Sequence, residues 1–453
     1  MKKLLLMLAS IGLVLGILSA CGGKETGKTN GDNAGGKDKS EEPVTIKLHT
    51  HGTEDGYAWK KTIEAFEKEH ENIKVDVVQL SEKQDSSEAL QKIDLAAASG
   101  EQMDVIMFSN PAAYAQRVAL DMLEPLDELI ERDGYEMKEE YKFSTKVGDH
   151  YYGLPGKSVS WYVLLNKDHL DAAGLEVPKS WTWEEFMDYA KKLTTNDRFG
   201  TYFHGPQNGA WINYMSLKLY SKETDASFIK VDGTSNIDDP MYKESLALRV
   251  KMEKEDKSAV PYATMISQQM NYRDIFFTQG TSMIVTGNWM TAEIGGSSRF
   301  PIDFNIAVAP MPQNEPNSDE AFQVVEGDVL GISANSKHKE AAYTFIRWFS
   351  TEGQIAQGLN IPAWKTVSDD QLVGLIDTIL ENAASPEKVD KESLVHSIQI
   401  AHSAVVGEPL PYDMEINQAL SVEFEKLILD KQDLDTTVEN SKKVVQEIID
   451  KNK

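Results

Sequence analysis

Val44-Thr45-Ile46-Lys47-Leu48, then Ile73-Lys74-Val75-Asp76-Val77, then Asp104-Val105-Ile106-Met107-Phe108 are the three short apolar segments that decide the fold of this chain. In the first, Val44, Ile46 and Leu48 alternate with polar residues at the period of a half-buried strand that ends at His49. Gly52 to Asp55 makes a turn with Asp55 placed as an N-cap, and Trp59, Ile63 and Phe66 recur at i, i+4 and i+7 along the helix that follows. Leu90, Ile93 and Ala97 form a second helical stripe, and Asp104–Phe108 reads as a third, more continuous strand. The order β-α-β-α-β predicts an open α/β sheet, in which ligands bind beyond the carboxyl ends of the strands. His51 to Asp55 and Ser109-Asn110 therefore fall at a candidate site.

Outward from that core, Thr182-x-x-Glu185 forms a capping box, so a helix begins at Trp183 and carries Phe186, Tyr189 and Leu193. Ala342, Phe345, Ile346 and Phe349 mark another helix facing a core, and Phe304–Val308 reads as a strand ending before Pro310 and Pro312. The last helix, 434–449, sets Val438, Val445 and Ile448 on one stripe. No internal repeat at a fixed period is present, which disfavours solenoids and propellers.

The N-terminus has a different character. Lys2 and Lys3 precede an apolar run from Leu4 to Leu18, and Ser19-Ala20-Cys21 closes it as a lipobox: small residues before a cysteine that becomes lipid-modified. The run is at the short limit of the ~17–25 residues that cross a bilayer. Residues 1–20 are expected to be a lipoprotein signal peptide, with Cys21 attaching the mature chain to a membrane. Cys21 is the single cysteine, so disulfides and thiol chemistry are excluded. From Cys21 to Glu42 the chain is rich in Gly, Lys, Asp, Glu, Ser, Thr and Asn, too polar to bury a core, and reads as a flexible tether.

About 410 residues follow, beyond the ~250–300 at which a single core stops growing, so two lobes are expected. The formal charge is −26, and −28 without Lys2 and Lys3. With no basic stripe to neutralise phosphates, nucleic acid is excluded as a partner.

Several segments resemble one family, the group 1 extracellular solute-binding proteins that deliver sugars to ABC importers. YYGLPGKSVSWYVLLNKDHLDAAGLEVPKSWTWEEFMDYAKKLT (Tyr151 to Thr194) resembles the stretch in which YGLP crosses between lobes and TWEEF opens a helix. FFTQGTSMIVTGNWM (Phe276 to Met290), IAVAPMP (Ile306 to Pro312) and GDVLGISANSKHKEAAYTFIRWFSTEGQ (Gly327 to Gln354) follow in the family's order. The resemblance implies a two-lobed periplasmic-binding-protein-like fold of type II. Each lobe would be a mostly parallel sheet flanked by helices, with the ligand in the cleft and closure about a hinge. Lobe one would be 43–154 plus 309–355, and lobe two 155–308 plus 356–453. The implied protein is a monomeric, lipid-anchored receptor without metal or cofactor, on the outer face of the cytoplasmic membrane. It passes a mono- or oligosaccharide to ABC permease subunits and catalyses no reaction. Anchoring of this kind is the habit of cells with a single membrane.

Sugar chemistry supplies its own site expectations, because hydroxyls need carboxylates and amides while C–H ring faces need flat aromatics. Trp289, after Gly287-Asn288, stands in the turn whose tryptophan often stacks on sugar in the family. Trp211 lies in a Gly/Pro/Asn loop before an apolar helix, with Gln207 and Asn208 as amides. Trp364 follows the third crossing and Trp161 lies just beyond YGLP. Glu54, Asp55, Asn110 and Glu326 are polar groups at loops of the opposing lobe. Each has a plainer explanation: packing for the tryptophans, N-capping for Asp55, solvation for the others. Trp59, Trp181, Trp183 and Trp348 are expected to be packing residues.

Alternatives are a metal-dependent amidohydrolase, suggested by His49-Thr50-His51 at a strand end, a secreted glycosidase, and a receptor for a non-sugar solute. The remaining histidines show no strand-end pattern that would complete a metal site.

Overall fold

The computed structural model describes residues 43–206, 210–316 and 319–453. The signal segment, Cys21, the tether, Gln207 and Asn208 lie outside the described residues. In chain order, the strands of the two larger sheets are β1 Val44–Thr50, β2 Ile73–Gln79, β3 Val105–Phe108, β4 Gly153–Val159, β5 Trp161–Asn166, β6 Phe199–Tyr202, β7 Thr281–Gly287, β8 Ile306–Pro310 and β9 Glu326–Ile332.

The first sheet has the order β2-β1-β3-β9-β4. β1 runs parallel to both β2 and β3, and Ile46 and Leu48 are buried as their alternation predicts. β9 is antiparallel to β3 and to β4. The second sheet, β8-β5-β7-β6, pairs β5 antiparallel with β8 and β7, and β6 parallel with β7. Both sheets are thus mixed, not mostly parallel. The reason is the route of the chain: β9 enters the first sheet, and β5 the second, from the end where the chain passes between them.

Both faces of the second sheet are covered, which explains the unbroken apolar run in β5. Tyr162 and Leu164 face a core with Ile284, Leu420 and Phe424, while Val163 and Leu165 face one with Trp183, Phe186 and Met283. In the first sheet Ile46, Leu48 and Val105 pack on Phe66, Phe345 and Phe349. Trp59, Trp181, Trp183 and Trp348 are all buried.

The passages fall later than the motifs suggested. Tyr152-Gly153-Leu154-Pro155 leads into and forms the start of β4 instead of crossing, and Ser160 alone separates β4 from β5. Gly153 fits there because a Cβ would stand 2.7 Å from Val329 Cγ1. The strand expected at Phe304–Val308 is Ile306–Pro310, which belongs wholly to the second sheet, and the return to the first is complete only at Glu326. Phe349 and Ala363 still pack in the first core, whereas Ile376 and Leu380 of helix Asp369–Glu381 join the second. Positions 154/155, 308/309 and 355/356 are therefore not where the sheets exchange the chain.

Local signals fared variably. The Thr182–Glu185 capping box is present. Asp55 is not an N-cap: Thr53 caps the short helix Glu54–Tyr57, accepting from the Gly56 N–H, and left-handed Ala58 then starts helix Trp59–Glu69. The apolar helix expected after Trp211 is a 3-10 turn, Trp211–Met215, followed by the short helix Leu217–Tyr220.

Candidate functional site

The registers bring the strand ends together. Val159 pairs with Glu326, so β4 ends where β9 begins, and β1 and β3 end on that same side. In the second sheet Trp161 pairs with Gly287 and Tyr162 with Pro310, so β6, β7 and β8 also end at the passage. The carboxyl ends of strands from both sheets thus lie at the joint around Ser160. Helix Asp413–Ile428 touches helix Pro111–Val118 beside it.

Glu326 opens β9 at this point, and burial raises its carboxyl to about 7 against a hydrogen bond from Asn213. Asp413, at the start of its helix, accepts from the Leu410 N–H at 2.7 Å. Its carboxyl is likewise raised to about 7, first by burial and further by the negative charge of Glu326. Among the described residues neither forms an ion pair. Tyr220 lies close to both, its hydroxyl driven upward by burial and then by Glu326.

A carboxyl raised from about 4.5 to about 7 binds its proton more tightly in the folded chain. Its contribution to stability is complete below pH ~4.5 and is lost as pH rises through ~7. Solute-free protein should therefore lose up to roughly 3 kcal/mol through Glu326 between those limits, and Glu326→Gln should flatten that slope. Melting temperatures of both proteins from pH 5 to 8 check this; parallel curves would refute it.

Trp289 is part-exposed on the second wall. Its ring meets Trp161 edge-on at 5.3 Å and 89°, and it packs against both cores of its sheet. Gly287 is required beneath it, since a Cβ there would lie 2.1 Å from the indole. Trp161 is buried, with its edge against Tyr214 at 5.6 Å. It lines a narrow crevice with Asn213, Leu217, Tyr220, Met311 and Gln323. Trp211 is half-buried, its edge on Phe424 at 6.1 Å.

Other expected contacts are otherwise engaged. Asn288 is a joint residue: its amide donates to Ser158 O at 3.0 Å and Ser160 Oγ at 3.2 Å, and its N–H donates to Ser160 O at 2.9 Å. Asn110 is the N-cap of helix Pro111–Val118, accepting from the Ala113 N–H at 2.9 Å. Glu54 and Asp55 are exposed in the first turn after β1. Trp364 is drawn away: the segment from Ile361 runs back along β4 from Ser158 to Gly156, and its indole donates to Glu140 at 3.1 Å. Asn213, Tyr220 and Asp413 were not foreseen. Asp413 follows Pro409 and Pro411, a sign of a loop before a helix, but nothing local says that it faces Glu326.

Behind the first wall lies a buried polar tetrad. Tyr57 OH donates to Asp328 Oδ2 at 2.5 Å and accepts from Lys157 Nζ at 2.6 Å. With its one proton committed, the hydroxyl accepts from His51 Nε2 at 3.1 Å, so His51 carries its proton on Nε2. Burial lowers the His51 pKa to about 4, which keeps it neutral. Lys157 Nζ is 3.6 Å from Asp328. The tetrad ties the loop after β1 to β4 and β9. His49 instead faces Glu101 at 3.4 Å, and among the described residues no group of three or more His, Cys, Asp or Glu is placed to hold a metal.

Two mixed α/β sheets joined through Ser160, with the carboxyl ends of their strands at that joint, define a fold of the periplasmic-binding-protein type. The chain belongs to the bacterial extracellular solute-binding protein family, whose profile matches residues 50–356. It is 23% identical over 364 residues to the multiple sugar-binding protein of Streptococcus mutans, covering 76% of this chain and 78% of that one. It is 24% identical over 250 residues to the maltotriose-binding protein of Pyrococcus abyssi, covering 52% and 49%. The fold matches the ABC substrate-binding protein of Listeria monocytogenes in complex with cycloalternan at TM-score 0.71 and 21% identity, over 90% and 98% of the two chains. It also matches maltose-bound T. maritima MalE3 at TM-score 0.68 and 19% identity, over 89% and 100%. Membership of a binding family sets the hydrolase alternatives aside.

Proposed function

We propose that this chain is the carbohydrate receptor of an ABC importer. The reading rests on two features: the part-exposed Trp289 ring just beyond the carboxyl end of β7, and the carboxyls of Glu326 and Asp413, which among the described residues form no ion pair. Aromatic faces suit C–H ring surfaces, and carboxylates accept hydrogen bonds from hydroxyls. The names of the relatives from Streptococcus mutans and Pyrococcus abyssi point to the same class of solute.

Two lobes, one built on each sheet, close about the passages near residues 159–161, 311–325 and 364–368, and solute favours the closed form by its higher affinity for it. The lipobox at Ser19-Ala20-Cys21 supports attachment to the outer face of the cytoplasmic membrane, where a permease receives the solute. Among the described residues no helix is long and apolar enough to cross a membrane.

A thermal-shift screen of mono- and oligosaccharides, polyols and amino acids tests the reading. A solute that binds only the folded chain stabilises it by RT ln(1 + [L]/Kd), about 2.7 kcal/mol at a hundredfold excess over Kd. A sugar is expected to give the largest rise. Stabilisation by an amino acid alone, or by nothing in the screen, would overturn the carbohydrate assignment.

A further inference from the structure

His204 lies two residues beyond the end of β6, and Trp289 two beyond the end of β7, so both stand at the crevice end of neighbouring parallel strands. The imidazole is 1% exposed and sandwiched between Tyr214, at 4.5 Å and 24°, and Tyr272, at 4.1 Å and 27°, with the Trp289 ring 6.4 Å away. Neither of its ring nitrogens has a hydrogen-bond partner among the described residues.

The tyrosines around it are paired, although Thr201 Oγ1 and Thr286 Oγ1 on the same two strands are not. Tyr202 OH donates to Met270 O at 2.9 Å, Tyr214 OH to Val285 O at 2.7 Å, and Tyr162 OH is 3.2 Å from Thr291 Oγ1. Arg273, whose charge acts on the ring, is committed to Glu293 at 2.7 and 2.8 Å. His169 and His396 each have a partner, Ser282 Oγ at 3.0 Å and Lys179 O at 2.8 Å. A phenyl ring would fill the same slot between two tyrosines without leaving polar atoms unpaired, so stacking alone does not account for an imidazole.

We propose that His204 is a recognition residue of the solute site, reading hydroxyl groups of a neutral polyhydroxy solute through both ring nitrogens. The inference rests on the carbohydrate reading above and adds a residue and a chemical constraint to it. Burial, and then the charge of Arg273, hold the ring in its neutral form, which offers one N–H and one lone pair. A hydroxyl accepts from the first and donates to the second, and two adjacent hydroxyls satisfy both. A carboxylate has no proton for the lone pair. An ammonium group cannot accept from the N–H, and it would face Arg273. The route to the ring is Trp289, part-exposed beside it, whose rotation brings the imidazole edge into the crevice.

Calorimetric titration of wild type and His204→Phe with maltose, maltotriose and D-mannitol tests the proposal. The affinity of whichever solute binds wild type should fall about ten- to a hundredfold in the variant. Its melting temperature without solute should be unchanged or raised, because two unpaired polar atoms have been removed. In wild-type protein, which needs no variant to fold, the His204 15N resonances should move on titration with the same solute. Wild-type affinity in His204→Phe, or unmoved imidazole nitrogens at saturation, would overturn the inference alone. Absence of binding to wild type by these three and by every other sugar of the thermal-shift screen would overturn it together with the carbohydrate reading.

Discussion

Asp328→Asn should lower the stability of the folded chain by about 3–5 kcal/mol, the cost of leaving one partner of a buried ion pair uncompensated. Asp328 is 2% exposed and Lys157 5%, so water cannot replace the missing charge. The amide still accepts from Tyr57 OH, but it no longer balances the ammonium, which burial already pushes toward its neutral form. Two consequences separate this from general damage. The deficit should shrink at high pH, where Lys157 can lose its proton, and Asp328→Asn with Lys157→Met should recover much of the loss, because the charge and its counter-charge then leave together. Urea unfolding at pH 7 and pH 9.5 measures both. A midpoint no lower than that of an exposed control such as Glu54→Gln would show that the tetrad does not hold the first wall together.

Trp289→Ala should weaken binding of the sugar found by thermal shift about ten- to a hundredfold, the equivalent of roughly 1.5–3 kcal/mol of aromatic surface. The residue also packs against Trp161 and the cores of its sheet, so some melting temperature will be lost as well. Because the ring is part-exposed, that loss should stay below the ~3–5 kcal/mol of a fully buried Trp→Ala. Titration of the folded variant, well below its melting temperature, keeps the two effects apart. Full affinity in that fraction would make Trp289 a packing residue and remove it from the site.

The first three strands and two helices were legible because each is local: alternation in Val44–Leu48 and the i, i+4, i+7 spacing of Trp59, Ile63 and Phe66 need no knowledge of the rest of the chain. β4 was not. Gly153, Pro155 and Lys157 argue against a buried strand, and the strand exists because Lys157 finds Asp328 and Tyr57 far away in sequence. The site followed the same division. Trp289 was marked by its Gly-Asn turn, which the ring itself explains through Gly287. Trp364 looked equivalent, but Glu140 takes its indole N–H. Asp55 looked like a cap, yet Thr53, two residues earlier, does the capping, and Asn110, read as a contact or a solvated residue, is itself a cap. Asp413 and His204 acquire meaning only from neighbours more than eighty residues away, Glu326 in one case and Trp289 in the other.

With Ser160 alone between β4 and β5, the joint has no slack in parity. Strand side chains alternate with period two, so one added residue would exchange the two faces of β5, turning Tyr162 and Leu164 toward the Trp183 core and Val163 and Leu165 toward Phe424. A surface loop absorbs such an insertion; this joint would scramble a whole sheet. The same brevity makes the two strands opposed levers, about 23 Å and 20 Å long at ~3.3 Å per residue, gripped at their fulcrum by Asn288. A tilt of about 10° at the fulcrum moves the far end of the longer arm by roughly 4 Å. In the proposed closure, a change of torsion at Ser160 would be carried along the full length of both strands.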